Sequence, residues 1–224
     1  MELQLKFKMN EQLFLRNPED SELGRKIVKT SVEMIHELGF EAFTFKKLAI
    51  AIETTEASVY RYFENKHKLL VYLVAWYWSW LEYKVMVSCM NTEDPEVKIK
   101  RIVKLLVSEN DADSGFEGLN QQKLYNVVIS EGSKAYLTHH VNEDNQARLF
   151  KPYKDLSARI SSIFKAYSPR YKYTRSLSSA LLEMAHYQVF FMHHLPSLTD
   201  FGDKKDVKEV RKFLEHFVFS CLSK

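Results

Sequence analysis

Between Asn65 and Pro95 the chain carries neither glycine nor proline. An unbroken stretch of that length leaves little room for any fold that is not organised around one long helix, rising about 1.5 Å per residue. Asn65 is placed to cap it, so the helix is expected to run from Lys66 towards Pro95. With only six Gly and five Pro in 224 residues, the rest of the chain also has few places to break a helix. Beyond Pro95 the apolar spacing stays helical, at Val97, Ile102, Leu105 and Leu106, then Leu124, Val127 and Val128, then Leu156, Ile160, Ile163 and Phe164. Asp111 to Asn120 reads as a polar loop, and Pro152, Pro169 and Pro196 mark starts or ends of helices. The expected fold is all-α, with a small N-terminal three-helix domain and a larger C-terminal helical bundle.

The first residues read differently. Leu3, Leu5, Phe7 and Met9 alternate with polar residues, Asn10 and Glu11 offer a turn, and Leu13 and Leu15 then share a side. A short strand or β-hairpin and a frayed arm both fit residues 1–16. Asn17-Pro18-Glu19-Asp20 has the cap, the proline and the acids that open a helix. Ile27, Ser31, Met34, Ile35 and Leu38 form one stripe at helical spacing, and Gly39 supplies the stop. Thr44 is placed to cap a short helix through Ile52, and Thr54 and Thr55 to cap another that ends around Phe63. This gives an arm over 1–16, a small domain over 17–66 and a helical remainder over 67–224.

The two short helices turn Leu48, Ala49, Ile52, Val59 and Phe63 towards the first helix, and the small Ala49 permits close crossing. On the residues alone this is either a plain helical hairpin or a helix-turn-helix, in which the second helix lies in the major groove of DNA. Gly39-Phe40, Thr44, Leu48-Ala49 and the run Tyr60-Arg61-Tyr62-Phe63-Glu64-Asn65-Lys66 occur here in the order found in one family. On these motifs the chain resembles the TetR family of transcriptional regulators over residues 22–75, and beyond them only in helix count and length. The family's usual glycine between the two short helices is replaced by Glu53, which must either bear a positive φ or rebuild the turn.

The resemblance implies a homodimeric DNA-binding regulator, a repressor released from a palindromic operator by a small molecule. Double-stranded DNA is then the main partner. Thr44, Tyr60 and Lys66 are expected on phosphates, with Lys46 and Arg61 nearby, and Thr55, Glu56, Ala57, Ser58 and Tyr62 on base edges. From Thr44 to Lys68, five basic residues (Lys46, Lys47, Arg61, Lys66, Lys68) minus three acidic ones (Glu53, Glu56, Glu64) leave +2, modest but suited to a DNA backbone. The whole chain, with 32 basic and 29 acidic residues, would not by itself point to DNA.

Tyr72, Trp76, Tyr77, Trp78, Trp80 and Tyr83 crowd the long helix. Such stripes are ordinarily packing. By resemblance this helix lines an effector cavity, which puts Trp76, Tyr77, Trp80 and Tyr83 against an apolar or aromatic ligand. The helix Arg175–Leu195 and that from Lys204 to Leu222 are expected to form the dimer face, with Leu181, Leu182, Ala185, Val189, Phe190, Phe213, Leu214, Phe217 and Val218 as its apolar surface.

His186, His193 and His194 lack an acid that would complete a metal set, and neither metal nor cofactor is expected. Cys89 and Cys221 stand far apart, as in a reducing compartment. No uncharged apolar run is long enough for a membrane span or a signal peptide, so a cytoplasmic location is expected. The sequence has no Gly-rich phosphate loop, GxSxG elbow or HExxH, which disfavours catalysis. The competing readings are an all-helical enzyme or carrier using the aromatic cavity, and a regulator that answers to a protein partner.

Overall fold

The computed structural model describes residues 7–108, 119–203 and 205–223. Its helices are α1 (Glu22–Leu38), α2 (Phe45–Ala51), α3 (Glu56–Tyr60), α4 (Lys66–Cys89), α5 (Pro95–Val107) and α6 (Gln121–Glu131). There follow α7 (Ser133–Tyr136), α8 (Val141–Gln146), α9 (Lys151–Tyr167), α10 (Thr174–His194) and α11 (Val207–Leu222). No strand occurs among the described residues. The chain forms two compact units, Met1–Trp80 with Asn110–Pro152 and Leu81–Glu109 with Tyr153–Lys224, and the division falls within α4.

The first unit is built on α1. Its helix begins later than the Asn17-Pro18 signal implies, because Asn17 caps only a 3₁₀ turn, Pro18–Asp20, and Ser21 caps α1 afresh by accepting from the Gly24 amide. The chain doubles back tightly enough that a Cβ on Gly24 would stand 2.2 Å from the Pro18 oxygen. The far end is as expected, with Gly39 at φ 78° and its amide bonded to the Ile35 oxygen. The buried stripe is Ile27, Val28, Ser31, Val32 and Ile35, whereas Leu38 is exposed. Helix α6 packs on α1, and Glu131 at its end accepts the Phe40 amide at 3.0 Å.

The strand expected in the arm is not formed by the described part of it, and residues 1–6 lie outside the described residues. Asn10 accepts the Gln12 amide and so starts a 3₁₀ turn, Glu11–Leu13, while its Nδ2 donates to the Ala147 oxygen at 2.8 Å. Leu13 is buried and Leu15 exposed, so the two do not share a side. Most of the expected Asp111–Asn120 loop also lies outside the described residues, but Asn120 caps α6 through the Lys123 amide.

In the second unit α10 and α11 pack on each other and on α5, over a core that includes Ile99, Ile102 and Val103 of α5 and Leu156, Ile160 and Phe164 of α9. This corrects the apolar surface assigned to the last two helices. Leu181, Leu182, Ala185, Val189, Leu214 and Val218 are already buried within one chain, and only Phe190, Phe213 and Phe217 remain partly exposed. What α10 and the turn after it leave to solvent is Tyr187, Leu195 and Leu198, with Phe191 half-buried and stacked on Tyr187 at 5.9 Å. His186 is buried in α10, and burial pushes its imidazole down to about 4, which keeps it neutral. Among the described residues no cluster of His, Cys, Asp or Glu fits a metal, and no helix is long and apolar enough to cross a membrane.

Candidate nucleic-acid interface

Helices α2 and α3 are short, and their geometry is set by caps and by the core beneath them. Thr44, extended at φ −141°, starts α2 by accepting the Lys47 amide at 3.2 Å. Thr55 starts α3 in the same way through the Ser58 amide, also at 3.2 Å. Each such cap contributes about 1 kcal/mol, a large share for helices of seven and five residues. Leu48, Ala49, Ile52, Val59 and Phe63 are buried, as the sequence pattern requires.

The turn between them is a Schellman motif. The Thr54 amide bonds to the Ala49 oxygen at 2.9 Å and the Glu53 amide to the Ile50 oxygen at 3.2 Å, which places Glu53 at the left-handed position with φ 57°. The turn is therefore not rebuilt around the missing glycine; Glu53 adopts the glycine conformation, at a cost of about 1 kcal/mol. Lys26 of α1 reinforces the corner by donating to the Ile52 oxygen at 3.1 Å.

Thr55, Ala57, Tyr60 and Arg61 are exposed along α3, with Glu56 and Ser58 partly so, and Thr44 and Lys46 are exposed at the start of α2. The Thr55 and Ser58 hydroxyls lie 2.8 Å apart and share one hydrogen bond, so each keeps capacity for another partner. Tyr60 is 46% exposed with its ring edge-on to Phe45 at 5.1 Å.

Two residues of the expected set are employed elsewhere. Tyr62 is 2% exposed, and its hydroxyl lies 2.7 Å from Ser21 Oγ, so it braces α1 and does not face outward. The signal was present in the sequence, because Val59, Tyr62 and Phe63 fall at i, i+3 and i+4 on the buried side. Lys66 directs its ammonium to the main-chain oxygens of Phe40, Glu41 and Phe43 at 3.1, 3.2 and 3.4 Å. An ammonium has three protons, and all three have acceptors here. Lys66 thus ties the chain after α1 to the start of α4.

The aromatic residues of α4 pack on one another. Tyr77 meets Trp78, Trp80 and Tyr125 at 5.1, 6.0 and 6.3 Å, and Trp76 meets Phe7 of the arm at 5.6 Å. Trp76, Tyr77, Trp78, Trp80 and Tyr125 are buried, and burial raises the Tyr77 hydroxyl well above its ordinary range. Tyr83, the fourth residue expected there, is half-buried in the second unit. Arg16, just before the Asn17 that caps the 3₁₀ turn, places its guanidinium over the Tyr62 ring at 5.4 Å, a contact the sequence pattern did not indicate.

The family model described as "Bacterial regulatory proteins, tetR family" matches residues 27–73. By sequence, no curated protein matches the chain. Among solved structures, AibR in complex with isovaleryl coenzyme A and operator DNA superposes at a TM-score of 0.58 with 15% identity, over 87% of this chain and 98% of that one. The fatty acid degradation regulator FadR of Bacillus halodurans gives 0.60 with 21% identity, over 86% and 92%. The ketosteroid transcriptional regulator KstR2 of Mycobacterium tuberculosis gives 0.57 with 12% identity, over 90% and 94%.

Proposed function

We propose that the chain, whose residues 27–73 match the tetR-family model, is a DNA-binding transcriptional regulator, a homodimeric repressor on a two-fold symmetric operator, released by a small apolar or aromatic effector. The observation that carries the DNA reading is the row of exposed Thr55 and Ala57 and partly exposed Glu56 and Ser58, on a helix fixed by its cap, its Schellman turn and Lys26. In this reading Glu56 accepts from a cytosine amine, Ala57 touches a thymine methyl, and Thr44, Lys46, Tyr60 and Arg61 hold phosphates.

The pairing of chains is assigned to α10 and the turn after it, where Tyr187 and Phe191 stand one helical turn apart and Leu195 and Leu198 follow past the helix end, outside the buried core. Two linked heads then read half-sites about one helical turn apart. The effector is assigned to the aromatic face of α4 around Trp76, Tyr77 and Trp80. AibR is described in complex with isovaleryl coenzyme A, FadR as a fatty acid degradation regulator and KstR2 as a ketosteroid transcriptional regulator, and the acyl, fatty and steroid groups in those descriptions are apolar. An effector that repacks these rings acts on the same unit as the head, where Glu131 holds the Phe40 amide and Lys134 bridges Glu41 and Glu131 at 3.1 and 2.8 Å.

The test is a selection of genomic DNA fragments with the purified protein at stated salt, followed by titration of candidate acyl, fatty and steroid ligands against the recovered fragment. Recovery of a two-fold symmetric motif whose affinity falls when a ligand quenches Trp fluorescence supports the reading. Recovery of no motif sinks it.

A further inference from the structure

The arm before α1 is an anchored part of the DNA-binding head. Its Asn10 side chain donates to the Ala147 oxygen at 2.8 Å, Leu13 is buried, and the Phe14 ring meets Tyr72 edge-on at 6.2 Å. The Leu15 amide then donates to the main-chain oxygen of Tyr62 at 2.8 Å, immediately past the end of α3. The next residue is Arg16. It is exposed, no described carboxylate pairs with it, and its guanidinium stands over the Tyr62 ring, 5.4 Å from the ring centre. That ring is itself buried, and its hydroxyl shares a hydrogen bond with Ser21 Oγ at 2.7 Å.

From this we propose that Arg16 is a DNA-phosphate contact held in place by Tyr62, so that the arm extends the face presented by α3. The proposal rests on the reading of α3 as the DNA-binding helix. Arg61, exposed at the end of α3, immediately precedes Tyr62, so the short stretch that carries the ring also carries a second exposed cation. A guanidinium is always charged, presents a planar fork that matches phosphate oxygens, and stacks on an aromatic face while its N–H groups remain free at the edge. Because the backbone next to Arg16 is already tied down through Asn10 and the Leu15 amide, little loop-ordering entropy opposes the contact on binding. A guanidinium that served only to cover Tyr62 would neutralise no phosphate and so add nothing to the salt slope of DNA binding, whereas a phosphate contact would.

The phosphate term is independent of sequence, and a mixed-sequence DNA duplex spanning two heads is therefore a sufficient probe. The slope of log K against log salt is compared for the wild-type protein, Arg16→Met and Arg16→Lys, alongside their melting temperatures. The expected result is a slope shallower by about 0.9 for each Arg16 lost, restored in Arg16→Lys, with the melting temperature held. An Arg16→Met variant that keeps the wild-type slope overturns the proposal while leaving DNA binding by α3 intact, and if its melting temperature also falls, Arg16 is a structural cover for Tyr62. A wild-type protein with no salt-dependent duplex binding overturns the underlying reading, and the proposal with it.

Discussion

The ammonium of Lys66 donates to the main-chain oxygen of Phe40 at 3.1 Å and stands 4.7 Å from the centre of the Phe40 ring. Together with the Glu41 and Phe43 oxygens this makes Lys66 a buckle across the chain between α1 and α2. Lys66→Met leaves three carbonyls without their charged donor and is expected to destabilise the protein by about 2 kcal/mol, the order of a charge-assisted hydrogen bond set. The salt slope of DNA binding should change little. Denaturant melts and a salt titration decide it; an unchanged melt with a slope shallower by about 0.9 would return Lys66 to the phosphates.

Glu53 holds φ 57° at the position where glycine is free of strain. Glu53→Gly removes a cost of about 1 kcal/mol from the folded state but adds roughly 0.5–1 kcal/mol of unfolded-state entropy. Stability should therefore stay level or rise slightly, against the usual direction for a glycine introduced beside a helix. Glu53→Val, β-branched at positive φ, should lose about 1 kcal/mol or more. If Glu53→Gly is clearly the less stable of the two in urea, the Schellman turn is assigned wrongly.

Much of this head was legible from the chain. Thr44, Thr55 and Asn65 are caps in the structure because a short side-chain oxygen before an apolar period has few other uses; Asn65 accepts the Lys68 amide at 2.9 Å. The start of α1 was misplaced because Asn17 and Ser21 are both capping residues, and only the close approach of Pro18 to Gly24 decides between them. The partners of Lys66 were not legible, since main-chain oxygens leave no mark in a sequence. Nor was the outer face of α10, where apolar residues on nearly every side hide which of them the chain's own core has already taken.

His186 is buried with its imidazole pushed down to about 4, from an ordinary 6.5. Below 6.5 the unfolded chain takes up a proton at this site that the folded one refuses, so folded stability falls as pH drops from 6.5 towards 4. The loss reaches about 3 kcal/mol at the lower end. His186→Gln removes the titration, and the difference in stability between it and the wild type should shrink or reverse over that window. Parallel stability curves for the two proteins would show that His186 is not held neutral.

Tyr187 is 42% exposed in the isolated chain and stacks on Phe191. A charge placed there does not disturb the core, so Tyr187→Glu should fold as the wild type does while losing the pairing assigned to α10. Sedimentation at micromolar concentration should give a monomer for the variant and a dimer for the parent, with operator affinity falling together with dimerisation. A Tyr187→Glu dimer as tight as the parent would place the seam elsewhere.

Base reading by the first turn of α3, from Thr55 to Ser58, is tested by repeating the fragment selection with Glu56→Ala and Ser58→Ala. Each variant should recover a motif that keeps its two-fold symmetry and spacing but changes preference at one position in each half-site, by about 1–3 kcal/mol where the contact is good. Recovery of the unaltered wild-type motif by both variants, at unaltered affinity, would contradict the claim.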